Sequence, residues 1–226
     1  MNKEKKVKTE KQKMLDGEYF NACEKGLMAD RVKAKEICFD YNQLRPSDKE
    51  KRKEIIKKLF KKTGNDFHIE SNFYCDYGYN ITIGEDFYSN HNLVILDGCE
   101  VTFGNNVMIG PNCGFYTAAH PIDVDLRNEC VEFGKKIIVG NNVWFGGNVC
   151  VLPGVTIGDN VTIGAGSVVT RDIPSNVTAF GNPCRVHKVN EENVNRTGDE
   201  KEIEEKLKKI GFVKNTKFRY YSFKFV

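Results

Sequence analysis

"VGNNVWFGGNVCVLPGVTIGDNVTIGAGSVVTRDIP", residues 139–174, divides into units of six. Each unit is led by an apolar side chain: Val139, Phe145, Val151, Ile157, Ile163 and Val169. Four positions after each leader stands Val143, Val149, Val155, Val161, Ser167 or Ile173, and glycine follows the leader at Gly140, Gly146, Gly158 and Gly164. The period continues upstream at Ile83, Ser89 and Ile95, then at Phe103 and Ile109 after a two-residue slip at Val101–Thr102. A helix cannot carry this pattern, since each interior glycine costs ~1 kcal/mol relative to alanine. Ordinary strand alternation has period two and does not explain it either. Short flat strands that turn after every sixth residue do: three faces close one triangular coil, and coils stack. The leaders then point into the prism, each contributing roughly 1.5–3 kcal/mol on burial. Glycine is expected where a Cβ would crowd the turning backbone. The fold class is mainly β, a parallel β-helix of hexapeptide repeats running from about Tyr79 to Cys184.

On the N-terminal side the period becomes helical. "LMADRVKAKEICFDYNQL" places Leu27, Ala34, Ile37, Cys38, Tyr41 and Leu44 on one apolar stripe. "PSDKEKRKEIIKKLFKKTG" offers a Ser47–Glu50 capping box, a buried face of Ile55, Ile56, Leu59 and Phe60, and Gly64 as a helix end. Residues 1–64 are therefore expected to form a helical segment, 65–189 the β-helix domain, and 190–226 a C-terminal extension. In that extension Ile203, Leu207 and Ile210 share one helical face. "KFRYYSFKFV" alternates basic and aromatic residues, and we read it as an edge strand or a packing segment rather than a nucleic-acid contact.

Composition narrows the function classes. With 40% apolar and 29% charged residues among 226, the chain suits one domain with a helical attachment. A formal charge of +3 provides no field for nucleic acid, and the lysine-rich runs of the first 62 residues are interleaved with glutamate, as on a solvated helix. No apolar run reaches the ~20 residues that span a bilayer, and the charged N-terminus lacks a signal core, so a cytoplasmic location is expected. The eight cysteines show no CxxC pair and no metal-ligand spacing. Most are expected to be small buried thiols, with no disulfide framework and no metal.

The repeat breaks once. After Phe115 the period fails until Val139, and "TAAHPIDVDLRNECVEFGKK" leaves the coil, with residues from about 121 to 137 as a protruding loop. Long loops in compact domains are usually functional or disordered. His120 stands where coil becomes loop, and Pro121 biases it towards an extended backbone.

"EKQKMLDGEYF", "CDYGYNITIGEDFYSN", "YTAAHPID", "VGNNVWFGGNVCVLPGVTIGDN" and "GAGSVVTRDIPSNVTAFGNPCRV" together resemble the maltose and galactoside O-acetyltransferases, from about Thr9 to Lys188. The resemblance implies a left-handed β-helix, a homotrimer with active sites between subunits, and acetyl-CoA as cosubstrate with a sugar as acceptor. His120 then matches the catalytic histidine of the T-x-x-HP motif, a general base with pKa near ~6.5. The resemblance assigns Asp76, Asn90, Asp97 and Arg127 to the acceptor. It assigns Trp144, Gly147, Ala165, Thr170, Arg171 and Arg185 to the donor, with a backbone amide near Gly147 facing the oxyanion. Trp144 points outward by the six-residue count. Three departures stand out. Arg171 replaces the usual lysine, and His91 replaces an aromatic. "YFNACEKGL" lacks the family's aspartate, with Ala22 or Glu24 in its region. An acyltransferase for antibiotics or amino sugars and a non-enzymatic scaffold are the rival readings. A zinc carbonic anhydrase is disfavoured because His68, His91, His120 and His187 include no closely spaced pair.

Overall fold

A computed structural model describes residues 7–194 and 199–210. In it the hexapeptides wind into a left-handed solenoid of about six turns, with three parallel sheets as the faces of a prism. The first face stacks Phe67–Ile69, Phe87–Ser89, Met108–Ile109, Trp144–Phe145, Thr162–Ile163 and Val177–Phe180, and antiparallel Arg185–Val189 closes it. The second stacks Tyr74–Cys75, Val94–Leu96, Gly114–Tyr116, Cys150–Val151 and Val168–Val169. The third stacks Ile81–Thr82, Val101–Phe103, Ile137–Val139 and Thr156–Ile157. Stacking begins at about Lys61, with Lys62 bridged in parallel to Thr82, earlier than the Tyr79 at which the sequence period becomes regular.

Every leader from Ile83 to Val169 is at most 2% exposed. Phe87, Phe103, Phe115 and Phe145 meet edge-to-face along the axis, with ring centroids 4.9–5.3 Å apart. The glycines act differently from expectation. Gly140, Gly146, Gly158 and Gly164 take no positive φ. A Cβ on Gly146 would instead lie 2.6 Å from the amide nitrogen of Ala165 in the next coil. Glycine at these four positions permits coil-on-coil approach, and asparagine makes most of the turns: Asn106, Asn112, Asn142, Asn148, Asn160 and Asn176 have φ of 55–62°, while Gly154 and Gly166 make two others. Their amides form a ladder, Asn142 donating to Asn160 at 2.9 Å and Asn160 to Asn176 at 2.8 Å.

Three helices precede the prism: α1 (Glu10–Leu15), α2 (Lys25–Gln43) and α3 (Lys49–Leu59), of which α2 packs on Tyr74–Cys75 of the first coil and α1 packs against α2. Thr9 and Gln12 form a capping box on α1, while α2 buries Leu27, Ala34, Cys38 and Tyr41. The Ser47–Glu50 box does not form; α3 starts after Asp48, which makes no side-chain cap bond. Nor does α3 reach Gly64. The residues after Leu59 join the prism, where Lys61 and Gly64 donate their amides to Ile81 and Ile83 at 3.0 Å. The buried Arg52 fastens α3 down, donating to the Ile69 carbonyl at 2.9 Å and the Tyr41 hydroxyl at 3.0 Å.

The loop contains a short helix, α4 (Val124–Asn128). In the extension, α5 (Glu191–Val194) precedes α6 (Glu200–Lys209). Ile203 and Leu207 of α6 are half-buried, whereas Ile210, expected on the same face, is 76% exposed. "KFRYYSFKFV" lies outside the described residues. Among the described residues no helix is long and apolar enough to cross a membrane. Five free cysteines are buried and Cys150 is half-buried, but Cys23 and Cys130 are joined, which the cysteine reading did not anticipate.

Candidate active site

At the break in the repeat the chain builds a small antiparallel sheet beside the prism. Ala118–Ala119 pairs with Val131–Gly134, which also pairs with Phe20–Asn21 of the N-terminal segment. The loop closes where it opened: Lys135 donates its amide to the Thr117 carbonyl at 3.0 Å. Asp123 caps α4 by accepting from the Leu126 amide at 3.0 Å. Arg127, expected to meet the acceptor, donates to the carbonyls of Pro121 and Ile122 at 3.3 Å each and so holds the loop's own turn.

His120 directly follows Ala119, and its side chain is 57% exposed. Its Nε2 lies 3.9 Å from Oε1 of Glu132 on the opposing strand. Burial pushes the Glu132 carboxyl upward, His120 and Arg31 pull it down, and Asp76 pushes it up again. Asp76 is likewise raised by burial and lowered by Arg31 and Lys35. These four groups, His120, Glu132, Asp76 and Arg31, thus share one electrostatic neighbourhood. Arg31 reaches in from α2, donating to the Tyr77 hydroxyl and to the Ala22 carbonyl, both at 2.6 Å.

Asp97 is placed otherwise than expected for a residue that touches the acceptor. It is 0% exposed, and its carboxylate accepts the amides of Asp76 at 3.0 Å, Tyr77 at 2.9 Å and Asn80 at 3.4 Å. It shapes the turn that presents Asp76. Burial raises its pKa to about 6, against the pull of the Tyr77 amide. In the segment lacking an aspartate, Ala22 is buried and Glu24 caps α2 through the Leu27 amide at 3.0 Å.

The remaining candidates divide between two edges of the prism. Asn90 follows a first-face strand, and its Oδ1 accepts the His91 amide at 2.7 Å; His91 itself is exposed. Gly147 and Ala165 stand at that same edge, between the first and second faces, with the Gly147 carbonyl accepting from Gly166 at 2.9 Å. Asp76, His120, Thr170 and Arg171 stand at the next edge, after second-face strands. Trp144 is 52% exposed on the first face, between Met108 and Thr162. Arg185 begins the closing strand, where it donates to the Cys184 carbonyl at 2.8 Å, and Phe180 stacks on His187 at 3.6 Å. A single chain therefore gathers the histidine with the acidic group and sets the Asn90 edge apart. A pocket of about 90 Å³, beside Arg52 and His68, touches none of the candidates.

Sequence reasoning missed Arg31, Tyr77 and Glu132. Arg31 had a signal: it falls in the stripe Leu27, Arg31, Ala34, Cys38, where a charge requires a buried partner. Glu132 belongs to no repeat and had none.

Known proteins match both parts of the chain. The family "Maltose acetyltransferase hexapeptide capping motif" matches residues 13–64, and "Bacterial transferase hexapeptide (six repeats)" matches residues 136–171. The galactoside O-acetyltransferase of Escherichia coli K12 is 45% identical over 170 residues, 75% of this chain and 84% of that protein. The crystal structure of a maltose O-acetyltransferase from Clostridium difficile 630 superposes with TM-score 0.80 at 48% identity, covering 81% of this chain and 98% of that one. A galactoside acetyltransferase in complex with coenzyme A superposes with TM-score 0.79 at 40% identity, covering 86% and 98%.

Proposed function

Because this chain belongs to the maltose and galactoside O-acetyltransferase family, we propose that it transfers an acetyl group from acetyl-CoA to a hydroxyl of a maltose-, glucose- or galactoside-like sugar. The observation that carries this reading is His120 at the mouth of the loop, with Glu132 at 3.9 Å and Asp76 in the same neighbourhood. A sugar hydroxyl is a poor nucleophile until its proton is removed. The neutral imidazole of His120 takes that proton as the oxygen attacks the thioester carbonyl. Glu132 favours the imidazolium that results. The tetrahedral oxyanion needs a donor, for which the Gly147 amide is the candidate. Collapse expels the thiolate of coenzyme A, which recovers the proton from His120. Thiolate leaves readily, so transfer is direct within a ternary complex.

Asp76 and Asn90 offer acceptors and donors that suit hydroxyls. Arg171, next to Thr170, and Arg185 are exposed cations for the phosphates of the donor. The division of these residues between two edges supports a homotrimer, in which the Asn90 edge of one subunit faces the His120 edge of the next. Trp144, Met108 and Ile138, between 43% and 52% exposed, would be covered in that assembly.

The test is thiol release from acetyl-CoA over glucose, maltose, isopropyl thiogalactoside and an aminoglycoside. Sugar-dependent release that His120→Ala reduces by ~10²–10⁴ supports the reading. Release with the aminoglycoside alone would transfer the assignment to amine acylation. Acetyl-CoA binding without release would remove the acetyltransferase reading for these acceptors.

A further inference from the structure

The link between Cys23 and Cys130 joins residues 107 apart in sequence with Cα atoms 5.9 Å apart, inside the normal span of a disulfide. It is placed unlike the other cysteines. Cys23 is exposed and Cys130 half-buried, whereas Cys38, Cys75, Cys99, Cys113 and Cys184 are buried. Burial also pushes the thiols of Cys99, Cys113, Cys150 and Cys184 upward, which suppresses their thiolates. Of the eight cysteines Cys23 alone is exposed, and this exposure directs exchange with small thiols to its pair.

That pair spans the two segments that frame His120. Cys130 sits at φ 59° immediately before Val131–Gly134, the strand that carries Glu132. Its carbonyl accepts the Ala22 amide at 3.0 Å, and the Ala22 carbonyl accepts from Arg31 at 2.6 Å. Apart from the bond, Phe20–Asn21 is held to this strand by a ladder two residues long, with the edge-to-face contact of Tyr19 on Phe133, ring centroids 5.4 Å apart, beside it. A pairing that short is marginal by itself.

We propose that Cys23 and Cys130 form a reversible redox site that fastens or loosens the acceptor side of the active site, a proposal that rests on the acceptor reading above. The oxidant is a low-molecular-weight disulfide such as glutathione disulfide. The thiolate of one cysteine attacks it, forming a mixed disulfide and releasing one glutathione thiolate. The second cysteine, as thiolate, attacks the mixed disulfide and releases the other. Both glutathione thiolates are protonated by the two protons the cysteines gave up, and the two electrons reside in the glutathione thiols. Reduction reverses each step. Oxidised, the bridge holds Glu132 and the Arg31 anchor together; reduced, the short ladder frays.

The experiment equilibrates the full chain in glutathione buffers from reducing to oxidising, then quenches and alkylates it for peptide mass analysis. The expected result is a Cys23–Cys130 cross-linked peptide that appears with oxidation, while the buried thiols are alkylated only after unfolding. The Ala22 amide should exchange hydrogen at least tenfold faster after reduction. The acceptor KM should rise several-fold on reduction with the acetyl-CoA KM unchanged. The Cys23→Ser/Cys130→Ser chain should keep the reduced values in every buffer. Free thiols at both positions under oxidising conditions would overturn the proposal. So would a bridge that forms without changing Ala22 exchange. If no sugar is turned over, the acceptor reading fails, yet cross-link and exchange still decide whether the bridge fastens this segment.

Discussion

At His120 the nearest carboxylate oxygen stands 3.9 Å away, beyond hydrogen-bond range but close enough to stabilise a positive imidazolium. Glu132→Gln should therefore reduce kcat by about tenfold, the equivalent of one pKa unit, and leave the acetyl-CoA KM unchanged. Rates with each substrate varied in turn would check this. Arg31→Met should raise the acceptor KM and lower thermal stability together, because it strips donors from Tyr77 and Ala22 and a counter-charge from Asp76 and Glu132. Asp97 has a pH signature. Its folded pKa of about 6 exceeds its ordinary 3.8, so the folded chain binds that proton more tightly. The stability it contributes is present at acid pH and falls as pH rises between those two values. Thermal unfolding of Asp97→Ala beside the parent should show a difference that varies across this window and is flat above it. The sequence showed His120 because it breaks a pattern. It hid Glu132, which acts through a contact to a strand that no period marks.

Within the solenoid, asparagine and glycine divide the labour. The left-handed turn residue is most often asparagine, with Asp86, Gly78, Gly154 and Gly166 at the other turns, and the asparagine side chain also continues the ladder from Asn142 through Asn160 to Asn176. Asn160→Ala should destabilise the chain by about 1–2 kcal/mol, since alanine resists positive φ. Asn160→Gly should cost less, because it keeps the conformation and loses only the ladder. Chemical denaturation of the two variants separates backbone from side-chain contribution. The period of six made the leaders, the faces and the core readable from Ile83 to Val169. The helices were readable from their stripes but their ends were not: α3 stops at Leu59 because the following residues pair with the first coil, a tertiary contact that overrides the local signal of Gly64, and it starts after Asp48 with the Ser47 box unformed. The sheet of Phe20–Asn21, Val131–Gly134 and Ala118–Ala119 was not readable, because it joins the two ends of the loop to a segment about a hundred residues upstream.

As a whole molecule, the chain presents one prism edge with His120, Glu132 and Asp76 and another with Asn90, Gly147 and Ala165. Equilibrium sedimentation should give three times the monomer mass. The sole tryptophan, Trp144, reports on assembly, being 52% exposed in the isolated chain. Its emission should shift to the red when the assembly is diluted apart, and should respond to coenzyme A when it is intact. An emission maximum independent of concentration, with a monomer mass, would remove the shared-site arrangement.

The loop that carries His120 leaves the prism at Thr117 and returns at Lys135, whose amide bonds the Thr117 carbonyl at 3.0 Å. Its two ends are neighbours in the coil, so the excursion behaves as an insertion between adjoining rungs. The wall of the solenoid below it continues in register, with Ile137–Val139 stacked on Val101–Phe103 as though nothing intervened. Loop-closure entropy grows slowly with length, so lengthening or rewriting such an excursion is cheap for the scaffold. If the loop meets the acceptor as proposed above, rewriting it would change acceptor selectivity and leave the wall of the solenoid unchanged. The excursion is then a replaceable cassette, and the repeat is the socket that receives it.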